Sequence, residues 1–187
     1  MSIRIEPAVA PFAPAVATVL ERAMPPGMPP LTLFTVLARD ERLFGKFAAG
    51  SLLDRGNLPL RDREIVIHRT TARCGCEYEF GIHVTLFAAR AKFDEADVAA
   101  LAAEDPAAGA WAPHERDLIA LCDGLHAACD VDDALWTRLR EHYSVEALLE
   151  AFMLAGFYRT VAYVAKGARL PLESFAARFP GGAAGPA

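Results

Sequence analysis

The stretch from Arg63 to His83 constrains this chain more than any other. Cys76, Glu79 and His83 stand there at i, i+3 and i+7, a helical spacing that puts a thiol, a carboxyl and an imidazole on one face. Glu64 lies twelve residues before Cys76, on what reads as the preceding helix, where it can turn toward the same cluster. Proton-transfer chemistry needs a thiol or acid beside a base, with a third group to orient the base. This segment holds all of them. With Cys76 in the first helical turn, the positive end of the helix dipole would favour its thiolate.

The surrounding pattern is helical. Pro59 suits the entry to a helix running to about Arg73, where Cys74-Gly75 breaks it. A second helix is predicted from Cys76 to about Ala91, and a short one from Asp94 to Asp105-Pro106. Further helices are predicted over His114–Ala128 and Asp132–Tyr143, then from an N-cap at Ser144 to about Lys166. No segment alternates cleanly, which gives an all-α fold. Residues 1–30 carry seven prolines and read as an arm with one short helix near Val16–Ala23. Residues 31–175 form the helical domain, and 176–187, rich in Gly, Ala and Pro, form a flexible tail.

Composition narrows the function classes. A 53% hydrophobic share over 187 residues suits one domain with apolar surface left for subunit contacts. The net charge of −5 and scattered basic residues argue against nucleic acid as a partner. No apolar run reads as a membrane span and no secretory leader is visible, so a cytoplasmic, reducing location is expected, with Cys74, Cys76, Cys122 and Cys129 as free thiols. No phosphate loop, nucleophile elbow or dinucleotide fingerprint is present.

Arg63-Glu64-Ile65-Val66-Ile67, then Cys76-Glu77-Tyr78-Glu79-Phe80 and His83, resemble the carboxymuconolactone decarboxylase family, which includes the alkylhydroperoxidase D proteins. The likeness is specific over about residues 58–92 and looser from Leu31 to Glu173. It implies an alkylhydroperoxidase D-like helical bundle assembled as trimers or hexamers. In the peroxidase branch a glutamate precedes a Cys-x-x-Cys pair and a histidine closes the motif. Glu64, Cys76 and His83 match the glutamate, the first cysteine and the closing histidine. The second cysteine falls on Glu79 and the histidine between the pair falls on Tyr78, so no disulfide can cycle within this motif.

Three readings follow. In the first, Cys76 reduces a peroxide with Glu64 and His83 managing the proton, an antioxidant, peroxiredoxin-type activity. In the second, Glu79 and His83 do acid–base work on a small carboxylated or lactone substrate, with Arg69 or Arg73 holding its negative charge. In the third, the motif survives only as a polar network in a redox sensor or scaffold. Each site residue also has a plainer role open to it. Cys76 would be a small buried hydrophobe, Glu79 a structural partner of Arg69 or Arg73, and Tyr78 a wall of the pocket. His68, His114, His126 and His142 are expected at surface or capping positions. Cys76, Glu79 and His83 make a weak zinc set, so neither metal nor cofactor is expected. The partners anticipated are a small-molecule substrate and further copies of the chain.

Overall fold

In the computed structural model, which describes residues 2–182, the middle of the molecule is a helix that is polar by composition. This helix, α4 (Leu60–Arg73), buries every residue from Asp62 to Thr71. A charged helix can be buried all round only if its polar groups find partners inside, and that requirement shapes the site. Three helices precede it: α1 (Pro14–Ala23), α2 (Thr32–Leu37) and α3 (Glu41–Ala49). After it come α5 (Glu77–Phe87), α6 (Glu95–Ala102), α7 (Pro113–Ala128), α8 (Asp133–His142) and α9 (Val145–Gly167). The described residues contain no strand. α4 packs against α5, α6, α7 and α9, so four helices enclose the fifth.

Local chemistry sets the helix ends. Asp40, Asp94, Asp132 and Ser144 each accept a hydrogen bond from the backbone N–H three residues on, capping α3, α6, α8 and α9. Between α4 and α5 the chain turns through Gly75 at φ +58°. The N–H of Cys76 donates to the Thr71 carbonyl at 2.9 Å and that of Gly75 to Ala72 at 2.8 Å. This paired closure needs a left-handed residue at its corner, which glycine supplies without strain. The turn lays α5 back along α4.

Two expectations about the ends and the last helix are corrected. Along α9, 23 residues long, the composition is apolar enough to cross a bilayer, contrary to the sequence reading. Nine of its residues, Leu148, Leu154 and Tyr158 among them, are instead buried in the bundle, as befits a core helix. The segment from 176 is held as far as Phe179. The N–H of Ala177 donates to Thr85 Oγ1 at 2.9 Å and to the Gly81 carbonyl at 3.2 Å, and that of Phe179 donates to Glu77 Oε1 at 3.1 Å. A Cβ on Gly81 would sit 2.0 Å from the Ala177 oxygen, so this strap lies on α5 only because residue 81 has no side chain. Residues 183–187 of the anticipated tail lie outside the described residues. In the N-terminal arm, α1 packs on α3 through Val16, Leu20 and Phe44, and Arg4 N–H bonds the Ala168 carbonyl at 2.8 Å.

Candidate active site

Glu64 in the first half of α4 and His83 in the second half of α5 meet across the hairpin. His83 Nδ1 lies 2.8 Å from Glu64 Oε2, and its other nitrogen, Nε2, lies 3.4 Å from Glu79 Oε1, one turn back on α5. The imidazole therefore bridges two carboxyl groups. Arg63 donates through Nε and Nη2 to Glu64 Oε1, at 3.2 and 3.1 Å. Glu79 Oε2 is buried and has no hydrogen-bond partner. Phe87 stacks on the His83 ring at 4.9 Å and Tyr158 meets it edge-on at 5.0 Å.

Burial alone would strip the charge from these groups. For His83 it is outweighed by the Glu64 charge, the hydrogen bond to Glu64 and the contact with Glu79, which carry the imidazole up to about 9. Burial also pushes Glu64 upward, but His83, His68 and Arg63 overcome it and hold the carboxyl below its ordinary value. At neutral pH the pair is an imidazolium on a carboxylate, with both ring N–H groups donating.

Of the residues singled out from the sequence, Glu64, Glu79 and His83 converge. Cys76 does not join them. It is the N-cap of α5, 1% exposed and set in the hydrophobic core. Seven helical residues separate it from His83, a rise of about 10 Å. Burial pushes its thiol up to about 12, against a backbone hydrogen bond at Glu79 and the charge of Lys166, which pull the other way. The dipole expected to favour the thiolate is overridden by desolvation. Tyr78 is an anchor: its hydroxyl donates to Glu173 Oε1 at 2.6 Å and accepts the Leu33 N–H at 3.0 Å. Arg69 and Arg73 face away from Glu79. Arg69 grips Asp123 at 2.7 and 2.8 Å and the carbonyls of Leu101, Ala103 and Glu104, while Arg73 Nε lies 3.4 Å from Asp123. Neither can hold a substrate at this cluster.

Three residues of the site were not foreseen. His68, expected at the surface, is fully buried with Nδ1 2.7 Å from the Glu64 carbonyl. Burial first, and then the neighbouring His83, lower it to about 4, so it is neutral beside a charged imidazole. Its position four residues after Glu64 was the available signal. Arg63 and Tyr158 are the others. Burial, reinforced by Glu79 and Glu64, lifts the Tyr158 phenol well above its ordinary value and keeps its proton on. Away from the motif, Asp62, His114 and Glu115 bring ligand-type atoms within 4.8 Å of one another. There, however, Glu115 already accepts the Ala112 N–H at 2.8 Å and Arg61 Nε at 2.5 Å, which leaves it poorly placed for a cation.

Residues 41–122, which contain the whole Glu64–Glu79–His83 cluster, match the model of the carboxymuconolactone decarboxylase family. No curated protein matches the chain. Among solved structures it is similar to an alkylhydroperoxidase AhpD core, an uncharacterized peroxidase-related protein of Ralstonia eutropha, with TM-score 0.80, 19% identity and coverage of 93% of this chain and 94% of that one. It is also similar to an uncharacterized peroxidase-related protein from Silicibacter, with TM-score 0.73, 13% identity and coverage of 93% and 95%. A protein of unknown function from Agrobacterium tumefaciens is a further match, with TM-score 0.60, 19% identity and coverage of 72% and 93%. At these identities the structures speak for the fold, which is an alkylhydroperoxidase D-like all-helical one, and residues 41–122 are similar to the carboxymuconolactone decarboxylase family.

Proposed function

We propose that the protein is a proton-transfer enzyme acting on a small carboxylated or lactone substrate through Glu79 and His83, with Glu64 as the orienting group. The observation that carries this reading is the buried, unpartnered Glu79 Oε2 at the end of the Glu64–His83–Glu79 chain. A buried carboxyl oxygen without a partner is costly, and its natural occupant is a polar atom of a substrate. His83, charged at neutral pH, is the proton donor. As a substrate C–C or C–O bond breaks and its electron pair moves onto carbon or oxygen, the imidazolium supplies the proton through Glu79. Glu64 keeps the ring aligned and compensates its charge, and Arg63 holds the Glu64 carboxylate in place.

Positioned acid–base groups are worth about 10²–10⁴-fold in rate. Glu79→Gln should therefore lose at least about 100-fold in turnover on a panel of lactones and β-keto acids, with helical circular dichroism unchanged. Cys76→Ser and thiol alkylation should leave turnover intact. Full activity in Glu79→Gln, or its loss on alkylation, would defeat the reading.

Peroxide reduction through Cys76, an antioxidant role in the cytoplasm, is the second reading. Its support is the likeness to peroxidase-related structures together with a cysteine at a helix N-cap. Against it stand the burial and high pKa of that thiol and the carboxyl at position 79. Trapping of a sulfenic acid at Cys76 after peroxide addition would favour it, and its absence in native protein would remove it. Either reading is compatible with a homo-oligomer, which we propose forms through the exposed side of α9.

A further inference from the structure

Two cavities adjoin in the groove beside α7 and α9, on a different face of α4 from Glu64. They share His126 and Arg159 at their junction. Thr70, which lines the first, is six residues after Glu64 and so lies about a third of the way round the helix. The first cavity, about 190 Å³, is walled mainly by apolar side chains such as Leu125, Phe152 and Ala155. Away from His126 and Arg159 at the junction, its polar feature is the Thr70 hydroxyl, 6% exposed and with no hydrogen bond inside the usual geometric limits. The Cys122 thiol beside it lies within reach of the hydroxyl but donates to the Val66 carbonyl at 3.8 Å and is only a weak acceptor. An unpaired buried hydroxyl in an apolar cavity points to a ligand atom that completes it.

The second cavity, about 410 Å³, has the opposite character. Arg73, Arg159 and Lys166 line it, a concentration of positive charge in a chain whose net charge is −5. Arg73 is partly neutralised, with Asp123 at 3.4 Å and Glu104 at 3.9 Å. Arg159 and Lys166 make no ion pair among the described residues. Arg159 donates to the Tyr163 hydroxyl at 2.7 Å and the His126 carbonyl at 3.2 Å, and Lys166 donates to the Cys74 carbonyl at 2.7 Å. Both keep donors in hand for an anion. Along α9 the rise from Ala155 is about 6 Å to Arg159 and about 16 Å to Lys166, which brackets an extended eight-carbon chain.

We propose that this groove is a binding site for a small amphiphilic carboxylate. Its head pairs with Arg159 and Lys166, its apolar body fills the first cavity, and an oxygen at its far end meets Thr70 Oγ1. The site is independent of the proton-transfer cluster and does not rest on the function proposed for it.

Calorimetric titration of the full chain with octanoate, its ω-hydroxy derivative, octan-1-ol and acetate tests the assignment. Octanoate should bind saturably, at least about tenfold tighter than octan-1-ol because arginine–carboxylate pairing is a charge-assisted bond. Acetate, a head without a body, should not saturate. The ω-hydroxy derivative should bind several-fold tighter than octanoate. Arg159→Gln should bring octanoate down to the level of octan-1-ol, and Thr70→Val should erase the ω-hydroxy preference while leaving octanoate unchanged. Ala155→Leu, which fills the cavity, should abolish binding of all three chain-bearing ligands. Equal affinity for octanoate and octan-1-ol, or octanoate binding unaffected by Arg159→Gln, would overturn the proposal. A hydroxyl preference that persisted in Thr70→Val would overturn the placement of the far end. Thr70→Val is near-isosteric, so the test does not depend on a variant that risks misfolding.

Discussion

At the residue scale, one imidazole dominates. His83 is held between Glu64 and Glu79 and rises to about 9 from an ordinary value of 6.5. A histidine whose folded pKa is raised contributes stability fully below its unfolded value, and that contribution is lost as pH climbs through the folded value. Thermal stability should therefore fall between pH 6.5 and 9. His68 acts on the other side: lowered to about 4, it costs stability as pH drops below its unfolded value. Glu64, held low, adds to the acid-side loss. In Glu64→Gln the His83 pKa should drop by more than one unit and the alkaline loss of stability should disappear. Proton NMR titration of the His83 ring and melting curves across pH check both, and an unmoved His83 would contradict the ion pair. The sequence made the nearness of Glu79 and His83 legible because residues four apart on a helix share a face, while Glu64 was legible only as a group on the preceding helix able to turn toward them. The sequence concealed His68 and Tyr158, since nothing in a linear pattern says that a helix as polar as α4 is buried all round. The burial of Cys76 was hidden for a related reason. Its place at the helix start was visible, but the depth of that start in the core was not.

At the scale of elements, the caps carried most of the legibility. Asp94, Asp132 and Ser144 begin α6, α8 and α9 as their side chains suggest. Cys74-Gly75 ends α4 because the turn needs a left-handed residue. The C-terminal strap was invisible for the opposite reason: its hold on α5 depends on a missing side chain at Gly81 and on backbone groups that any sequence offers. Gly81→Ala should push the strap off α5, since the added carbon meets the Ala177 oxygen at 2.0 Å. A destabilisation of about 1–3 kcal/mol is expected, together with faster amide exchange at Ala177 and Phe179. Unchanged exchange at those two amides would show that the strap does not depend on the glycine.

Across the whole molecule, α9 has two faces with different fates. One faces the core through Leu148, Leu154 and Tyr158. The other leaves Val145, Leu149 and Met153 at 44%, 56% and 62% exposure, in a row with four-residue spacing, and Trp136 of α8 is also exposed. Exposed apolar patches mark interaction sites, and we propose this row as the contact for a further copy of the chain in a symmetric assembly. Leu149→Lys with Met153→Lys should lower the sedimentation coefficient toward that of a 20.2 kDa monomer while leaving helical content unchanged. A wild type that already sediments as a monomer at micromolar concentration would refute the contact. The high apolar share foretold surplus apolar surface, but not which helix would display it, because α9 is apolar on both sides.

The α4–α5 hairpin has a consequence in time as well as in space. Glu64 and His83 are 19 positions apart, so their meeting is a local event, and local contacts close early in folding. Tyr158, which with Phe87 walls the pair from water, arrives on the last helix to be synthesised. A nascent chain would thus bring the two groups together while still wet, with ordinary acidities. Docking of α9 closes off that water, so the desolvation that lowers His68 and strengthens the pairing of His83 with Glu64 belongs to the finished bundle.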